Sequence, residues 1–206
     1  MNHQLQSYWT LYYQNSNNTD ANDYASSIHK IGKFNTVEDF WSFHSHIKRP
    51  NQISENVDIH LFRNDICGMW EDAENRNGGK WTIFLKKDVS SLIWEKTLLS
   101  LIGELFPDDI LGVIIAIREE TDILSFWTRQ SRSPQNDPIL LNIAETISRV
   151  LELPNTAQFK FKPHFETKTA TKTSLLTWRA SDSNIQNNTR ARDNRQQLNN
   201  KDRQKT

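Results

Sequence analysis

Apolar and polar residues alternate along several short runs of this chain, as they do in strands that are covered on one face only. The six runs that read as strands are SYWTLYYQ, DIHLFRN, KWTIFLKK, DILGVIIAIRE, DILSFWTRQ and TAQFKFKPHF. Helical segments are interspersed among them without regular βαβ units. We therefore predict an α+β fold in which helices pack on one face of a mostly antiparallel sheet.

Three other segments carry apolar residues at helical spacing. NTVEDFWSFHSHI opens with Thr36, whose hydroxyl can cap a helix, and Asp39 follows three positions later, as in a capping box. SSLIWEKTLLSLIGELF begins at Ser90 and breaks near the next proline. DPILLNIAETISRVLEL has Pro138 near its first turn and ends at the following proline. These segments predict three helices.

The end of the chain differs in composition from the rest. Residues 179–206 are rich in Asn, Gln and Arg and contain almost no apolar side chains. Such a segment cannot bury enough surface to offset the entropy of ordering it. We expect a folded domain over residues 1–178 and a disordered tail over residues 179–206.

Charge and cysteine content narrow the classes of function. The 206 residues include 25 basic and 25 acidic side chains, whereas proteins that coat long nucleic acids carry a large basic excess. A nucleic-acid ligand should therefore be a few nucleotides held in a defined pocket. No apolar run approaches the ~18 residues that span a bilayer, and no signal peptide is visible. With Cys67 as the single cysteine, we expect a cytoplasmic protein without a disulfide framework, a metal or another cofactor.

The segment GMWEDAENRNGGKW places an indole beside a carboxylate. Neighbouring residues in a strand or tight loop point to different sides, so Trp70 and Glu71 can offer one ligand a stacking plane and a pair of acceptor oxygens. Most tryptophans are core residues, and Trp9, Trp41, Trp81 and Trp94 lie in periodic apolar runs that favour the core, with Trp41 the weakest case. Trp70 lies in a polar run where full burial is unfavourable, which predicts a half-exposed ring.

Four segments together resemble the eukaryotic translation initiation factor 4E family, whose members bind the cap of messenger RNA. They are FNTVEDFWSFHSHI, MWEDAENRNGGKW, LLSLIGELF and REETDILSFWT, and they agree in order and spacing over residues 3 to about 172. The resemblance implies a curved antiparallel sheet cupped around the ligand, with three long helices on its convex side. It also implies a binding protein, not an enzyme, whose ligand is the 7-methylguanosine that begins a capped RNA.

The chemistry of that ligand suits the residues at these positions. Methylation at N7 makes guanine cationic, so aromatic planes on its two faces gain stacking and cation–π attraction. The charge also acidifies N1–H, so one carboxylate can accept from N1–H and the exocyclic amine together. By resemblance Trp70 is one plane, Glu71 is the carboxylate, and Tyr24 replaces the tryptophan that usually forms the second plane. Trp127 matches the tryptophan that touches the N7-methyl group, with a core position as the alternative.

The resemblance also identifies residues for the phosphates of the cap. Arg118 matches the family arginine that meets the triphosphate, since a guanidinium suits phosphate oxygens, and Lys80 matches another basic position. Taken without the resemblance, Arg118 reads as a solvent-facing arginine at a strand end. Ile123 replaces a basic phosphate ligand, so we expect weaker phosphate contacts. Lys168 or Lys172 can supply part of them.

A second surface follows from the resemblance. The family's dorsal helices bind a short helix, with the pattern Tyr-x4-Leu and a further apolar residue, carried by scaffold proteins and their competitors. The matching positions here are Val37, Trp41, Leu99, Ile102 and Glu104. Exposed tryptophans often anchor such helix-in-groove partners. Glu95 stands where the family often has leucine, which can change the partner. We expect a monomer that joins a larger initiation or repression complex.

Other functions remain open on the sequence alone. Tyr24 and the segments REETDILSFW and HSHIKRP resemble the 4E-homologous branch of the family, which is associated with weaker cap binding and translational repression. A cap-occupying repressor is thus the alternative to an initiation factor, and a structural module that has lost cap binding is a further one. A hydrolase is disfavoured, because the chain has no Gly-rich phosphate loop, HExxH motif, nucleophile elbow or Cys–His signature.

Overall fold

One antiparallel sheet organises the molecule. The computed structural model describes residues 2–16, 25–54, 56–129, 137–164 and 176–181. Within these ranges eight strands form a sheet with the order β2-β1-β3-β5-β6-β4-β7-β8. Their bounds are β1 Gln4–Asn15, β2 Ile28–Thr36, β3 Val57–Arg63, β4 Gly79–Lys86, β5 Ile110–Ile117, β6 Thr121–Thr128, β7 Gln158–Pro163 and β8 Leu176–Arg179. Each adjacent pair is antiparallel.

Three helices connect the strands, as the helical spacing predicts. They are α1 (Val37–His44), α2 (Lys87–Ile102) and α3 (Pro138–Leu151). The Thr36 hydroxyl accepts a hydrogen bond from the backbone N–H of Asp39 at 3.1 Å, which confirms the predicted cap. α2 begins at Lys87 and not at Ser90, and α3 has Pro138 in its first turn. The α+β class with a curved antiparallel sheet is confirmed.

The helices and the sheet share one hydrophobic core, and this core covers only one face of the sheet. In β4 the side chains of Trp81, Ile83 and Leu85 are buried in the core, while Phe84 between them is 53% exposed. This alternation places every second residue of a strand on the opposite face. Trp9 and Trp94 are also in the core, as predicted. The opposite side, called here the open face, carries a smaller buried cluster that includes Phe62 and Trp127 and is exposed at Phe84.

Two strands lie outside the predicted runs. In β2 the apolar residues Ile28, Ile31 and Phe34 are spaced by three positions, which is a helical and not a strand period. Its pairing with β1 contains register shifts that accommodate this spacing. β8 is only four residues long. The structure continues beyond the expected domain end, since Ala180 is buried in the core. Residues 182–206 lie outside the described residues. None of the described helices is long and apolar enough to cross a membrane.

Candidate ligand-binding site on the open face

The connection between β3 and β4 carries the adjacent tryptophan and glutamate. Asn64 and Asp65 leave β3 with positive φ angles of 50° and 59°, a conformation that Asn and Asp adopt more readily than most residues. Trp70 is 50% exposed, and Glu71 is exposed. The predicted half-exposed indole is therefore confirmed, and a carboxylate stands next to it in the chain.

Side chains of this connection hold its own backbone in place. The amide nitrogen Nδ2 of fully buried Asn75 donates to the carbonyl oxygens of Cys67 at 2.7 Å and Met69 at 2.8 Å. The Asp72 carboxylate accepts from the backbone N–H groups of Cys67 at 3.3 Å and Glu74 at 3.0 Å. Asn75 was not among the predicted site residues. The signal that was available is the tendency of Asn and Asp in turns to bond to nearby backbone.

The same connection is attached to the end of β6. Glu74 forms an ion pair with Arg129. The backbone N–H of Gly78 donates to the carbonyl oxygen of Asn75 at 2.8 Å. A Cβ atom at Gly78 would lie 1.8 Å from the carbonyl oxygen of Thr128, so only glycine allows this approach. Trp70 and Glu71 are thus held on a connection that is fixed to the strand of Trp127.

Trp127 lies in a small apolar cluster beneath the site. Its side chain is 5% exposed and meets Phe62 edge to face, with ring centroids 5.6 Å apart. The His164 ring packs on it at 4.1 Å with an interplanar angle of 34°. The Lys80 ammonium lies 5.9 Å from the Trp127 ring centroid. Both readings of Trp127 therefore have support, because it is a buried residue that also borders the open face.

Burial controls the charges around Trp127. It lowers the pKa of Lys80, and the nearby Lys162 charge lowers that pKa further. Burial, followed by the Lys80 charge, lowers the pKa of His164 to about 4. His164 is therefore a neutral ring at pH 7. A partly buried ammonium beside a second ammonium is stabilised by an anion, which suits Lys80 to a phosphate.

Arg118 lies at the far end of the sheet from these residues. Gly112 of β5 pairs with Trp127, so Arg118, just beyond the other end of β5, is about 20 Å from that level at the usual rise per residue. Its guanidinium donates to Asp58 at 2.6 Å and to the Ile117 carbonyl at 2.9 Å. The arginine is therefore ion-paired rather than simply solvent-facing. The structure brings Lys80 and Trp127 together but not Arg118.

Four further positions complete the account of the predicted ligand residues. Ile123 lies on the open face between these two ends, paired with Phe84 on one side and Ala116 on the other. Its apolar side chain adds no positive charge there. The remaining three predicted ligand residues, Tyr24, Lys168 and Lys172, lie outside the described residues.

The positions matched to a partner groove lie on and beside α1 and α2. Trp41 is 45% exposed and Leu99 is 37% exposed, whereas Ile102 is 8% exposed. Val37 is half-buried. Glu104 receives two hydrogen bonds from the Arg63 guanidinium, so its carboxylate already has a partner. An exposed indole beside an exposed leucine is suited to an apolar helix.

A charged cluster borders these groove positions. The Glu95 carboxylate lies 3.3 Å from the Arg49 guanidinium and 3.6 Å from the His44 ring nitrogen. His44 meets Trp41 edge to face, with ring centroids 5.3 Å apart. The Glu95 side chain is therefore part of an ionic cluster beside the exposed indole, where an apolar residue would otherwise extend the groove.

Comparisons with known proteins agree with this architecture. A family model described as Eukaryotic initiation factor 4E matches residues 4–178. Eukaryotic translation initiation factor 4E-4 of Caenorhabditis elegans is 39% identical over 166 residues, which cover 79% of this chain and 77% of the relative.

Solved structures with the same fold contain a cap or cap analog, and one of them also contains a protein partner. Ascaris suum eIF4E-3 in complex with an m2,2,7G cap has a TM-score of 0.73 and 30% identity, covering 85% of this chain and 99% of that chain. C. elegans eIF4E-3 in complex with the 4E-binding protein Mextli and a cap analog has a TM-score of 0.73 and 28% identity, covering 85% and 100%.

Proposed function

Because this chain belongs to the eukaryotic initiation factor 4E family, we propose that it binds the 7-methylguanosine cap of messenger RNA and takes part in cap-dependent translation initiation. Members of this family are cap-binding factors and not enzymes. The observation that carries the proposal is the half-exposed Trp70 next to the exposed Glu71, on a connection braced by buried Asn75.

The proposed recognition uses the positive charge of the methylated base. Trp70 stacks on one face of the base, which contributes about 1–3 kcal/mol, and the charge adds a cation–π attraction of about 2 kcal/mol when the contact is desolvated. Glu71 accepts hydrogen bonds from N1–H and the exocyclic amine. Tyr24 supplies the second plane. A phenol has less π-surface than an indole, so affinity should be several-fold below that of a two-tryptophan site.

The phosphates of the cap have few basic partners in this proposal. Lys80 is the nearest basic residue to Trp127 among the described residues that we assign to the cap. Arg118 must exchange part of its contact with Asp58 for a phosphate, which lowers the net gain from that contact. Lys168 and Lys172 are proposed to supply additional contacts, whereas Ile123 supplies none.

Replacement of Glu71 tests this function. Glu71→Ala should abolish retention on an immobilised 7-methylguanosine resin, because the variant loses the only acceptor pair proposed for the edge of the base. The matched control is Glu145→Ala, an exposed carboxylate on α3, which should be retained like the wild type. Wild-type retention of Glu71→Ala would remove the assignment.

A repressor that occupies the cap is the second candidate. The Glu95–Arg49 ion pair and the His44 ring next to it favour this role, because they change the surface beside Trp41 that would receive a scaffold protein. A capped reporter in a translation extract separates the two roles. Added protein raises the yield if it initiates and lowers the yield if it represses, while an uncapped reporter serves as the control.

The rest of the chain is assigned on the same basis. We propose that the cap-binding domain extends to Ser181, since Arg179 lies in β8 and Ala180 in the core, and that residues 182–206 form a tail. The protein is proposed to act in the cytoplasm as a monomer within a larger complex. Its partner is proposed to be a protein that carries a Tyr-x4-Leu helix. A fluorescent fusion of the full chain tests the location, and light scattering of the purified protein tests the monomeric state.

A further inference from the structure

We propose that a strip of the open face formed by Thr82, Phe84, Lys160 and Lys162 binds the nucleotide that follows the triphosphate of the cap. This strip, called here the β4–β7 strip, is separate from the residues assigned to 7-methylguanosine. The inference rests on the proposed function, since the cap brings the next nucleotide to this face. It adds a stacking platform and a phosphate contact for the RNA itself.

The central observation is that the aromatic ring of Phe84 lies on the open face, opposite the core. Phe84 is 53% exposed, although the residues on either side of it, Ile83 and Leu85, are buried. A lone exposed apolar residue is common, so the ring alone would not indicate a ligand. Its surroundings supply the second observation. The Lys160 ammonium lies 5.4 Å from the Phe84 ring centroid.

All charged residues of the strip are basic. The open-face positions of β4 and β7 are Lys80, Thr82, Phe84, Lys86, Gln158, Lys160 and Lys162. None of these is acidic, although the chain as a whole carries equal numbers of acidic and basic residues. On β6, Asp122 pairs with Leu85 on the core side and is fully buried in an ion pair with Lys87, and Glu119 and Glu120 precede the strand, beyond the level of Phe84. A strip that is basic and aromatic is complementary to a nucleotide.

The register connects the strip to the cap site. Lys80 pairs with Trp127 on β6 and with Lys162 on β7, and Thr82 pairs with Lys160. Phe84 follows on the same strand, about 13 Å from Lys80 at the usual rise per residue. A triphosphate that starts near Lys80 and passes Lys162 places the next base at the level of Phe84, with Lys160 beside the phosphate that follows this base. Arg118 lies farther along the strands, near the level of Lys86.

The chemistry of the strip fits a base with its phosphate. An aromatic ring accepts any base by stacking, so this contact does not depend on sequence. The exposed contact between Lys160 and the ring is weak, and the base can take that face of the ring while the ammonium moves to a phosphate oxygen. The strip also compensates for Ile123, which pairs with Phe84 and leaves its own strand without a cation.

The test compares two ligands by tryptophan fluorescence, namely 7-methylguanosine diphosphate and a capped trinucleotide. We expect the wild type to bind the capped trinucleotide at least roughly fivefold more tightly, the lower end for one stacked base. Phe84→Ala and Phe84→Leu should each remove most of this ratio, because leucine keeps the apolar bulk but cannot stack. Phe84→Trp should increase the ratio. Lys160→Ala should lower it and reduce its salt dependence.

Controls keep this inference separate from the proposed function. The affinity for 7-methylguanosine diphosphate should stay within twofold in all four variants, and Leu92→Ala, a 67% exposed residue of α2, should leave both affinities unchanged. Binding of 7-methylguanosine diphosphate with an unchanged ratio in the Phe84 variants overturns the strip alone. A wild type that binds both ligands equally also overturns it. Failure of the wild type to bind 7-methylguanosine diphosphate overturns the proposed function and this inference with it.

Discussion

Burial separates the tryptophans of this protein into two groups with different roles. Trp9 and Trp81 are fully buried and Trp94 is 5% exposed, so their contribution is to the core. Trp41 and Trp70 are about half exposed, and they lie on different sides of the molecule, one on α1 and the other at the open face. Each is available to a ligand.

At the residue scale, Trp41 provides a prediction for protein partners. Trp41→Ala should weaken binding of a Tyr-x4-Leu helical peptide by about tenfold or more, because an exposed indole is a typical anchor at such surfaces and a loss of about 2 kcal/mol is common. Isothermal titration calorimetry measures this change. Cap affinity should not change, since Trp41 is not on the open face.

Ile139→Ala is the matched control for Trp41→Ala. Ile139 is a 48% exposed apolar residue of α3, whereas the groove positions lie on and beside α1 and α2, and its variant should bind the peptide like the wild type. Equal losses in the two variants would show that general apolar contact, and not the indole, holds the peptide.

The exposure of a single side chain could be predicted where the polarity of its sequence neighbours decides it. The half-exposed ring of Trp70 follows from its polar neighbours. The ion pair of Arg118 with Asp58 could not be predicted, because Asp58 is distant in the chain and meets Arg118 only through the pairing of β3 with β5. The same holds for Glu104 and Arg63.

At the scale of elements, Asn75 is the most deeply buried of the side chains that hold the connection of residues 64–78. Asn75→Ala should weaken 7-methylguanosine diphosphate binding by about tenfold, because the carbonyls of Cys67 and Met69 lose their donor and the binding conformation must then be ordered by the ligand. The free energy of unfolding should also fall by about 1–3 kcal/mol. Fluorescence titration and urea unfolding measure the two effects.

A neighbouring asparagine provides the control. Asn77 is exposed in the same turn, and Asn77→Ala should leave both affinity and stability close to the wild-type values. If Asn75→Ala were also to bind 7-methylguanosine diphosphate with wild-type affinity, the hydrogen bonds of Asn75 would not contribute to binding.

Elements were predictable from periodicity to different degrees. Six strands and three helices follow from apolar spacing. β2 was not predicted, because its apolar residues recur every three positions and its register with β1 is irregular. The hydrogen bonds of Asn75 depend on which carbonyl groups the folded connection leaves without partners. Amino-acid composition and residue spacing do not show which carbonyl groups these are.

At the scale of the whole molecule, buried histidines link stability to pH. Both ring nitrogens of fully buried His60 have no hydrogen-bond partner among the described residues. Burial lowers the pKa of His60 to about 4, against the opposing charge of Asp58. The unfolded chain takes up the proton near pH 6.5 and the folded chain only near pH 4. Stability is therefore complete above pH 6.5 and is lost as the pH falls towards 4.

This linkage predicts a measurable dependence of the free energy of unfolding on pH. Between pH 7 and 5 His60 should account for a loss of about 2 kcal/mol in the free energy of unfolding, and His164, whose pKa is also lowered to about 4, for a similar loss. His60→Gln should remove about half of the combined slope in urea unfolding. The exposed His46→Gln variant serves as control and should keep the wild-type slope. An identical slope in His60→Gln would contradict the prediction.

The proposed function depends on discrimination between a cationic and a neutral guanine. The most direct measurement is a tryptophan-fluorescence titration of the full chain with 7-methylguanosine diphosphate beside unmethylated guanosine diphosphate. We predict saturable quenching by the methylated nucleotide, with a dissociation constant at least about tenfold lower than for the unmethylated one, because only the cationic ring gains the cation–π and charge-assisted contacts. Equal quenching by the two nucleotides, or none by either, would contradict it.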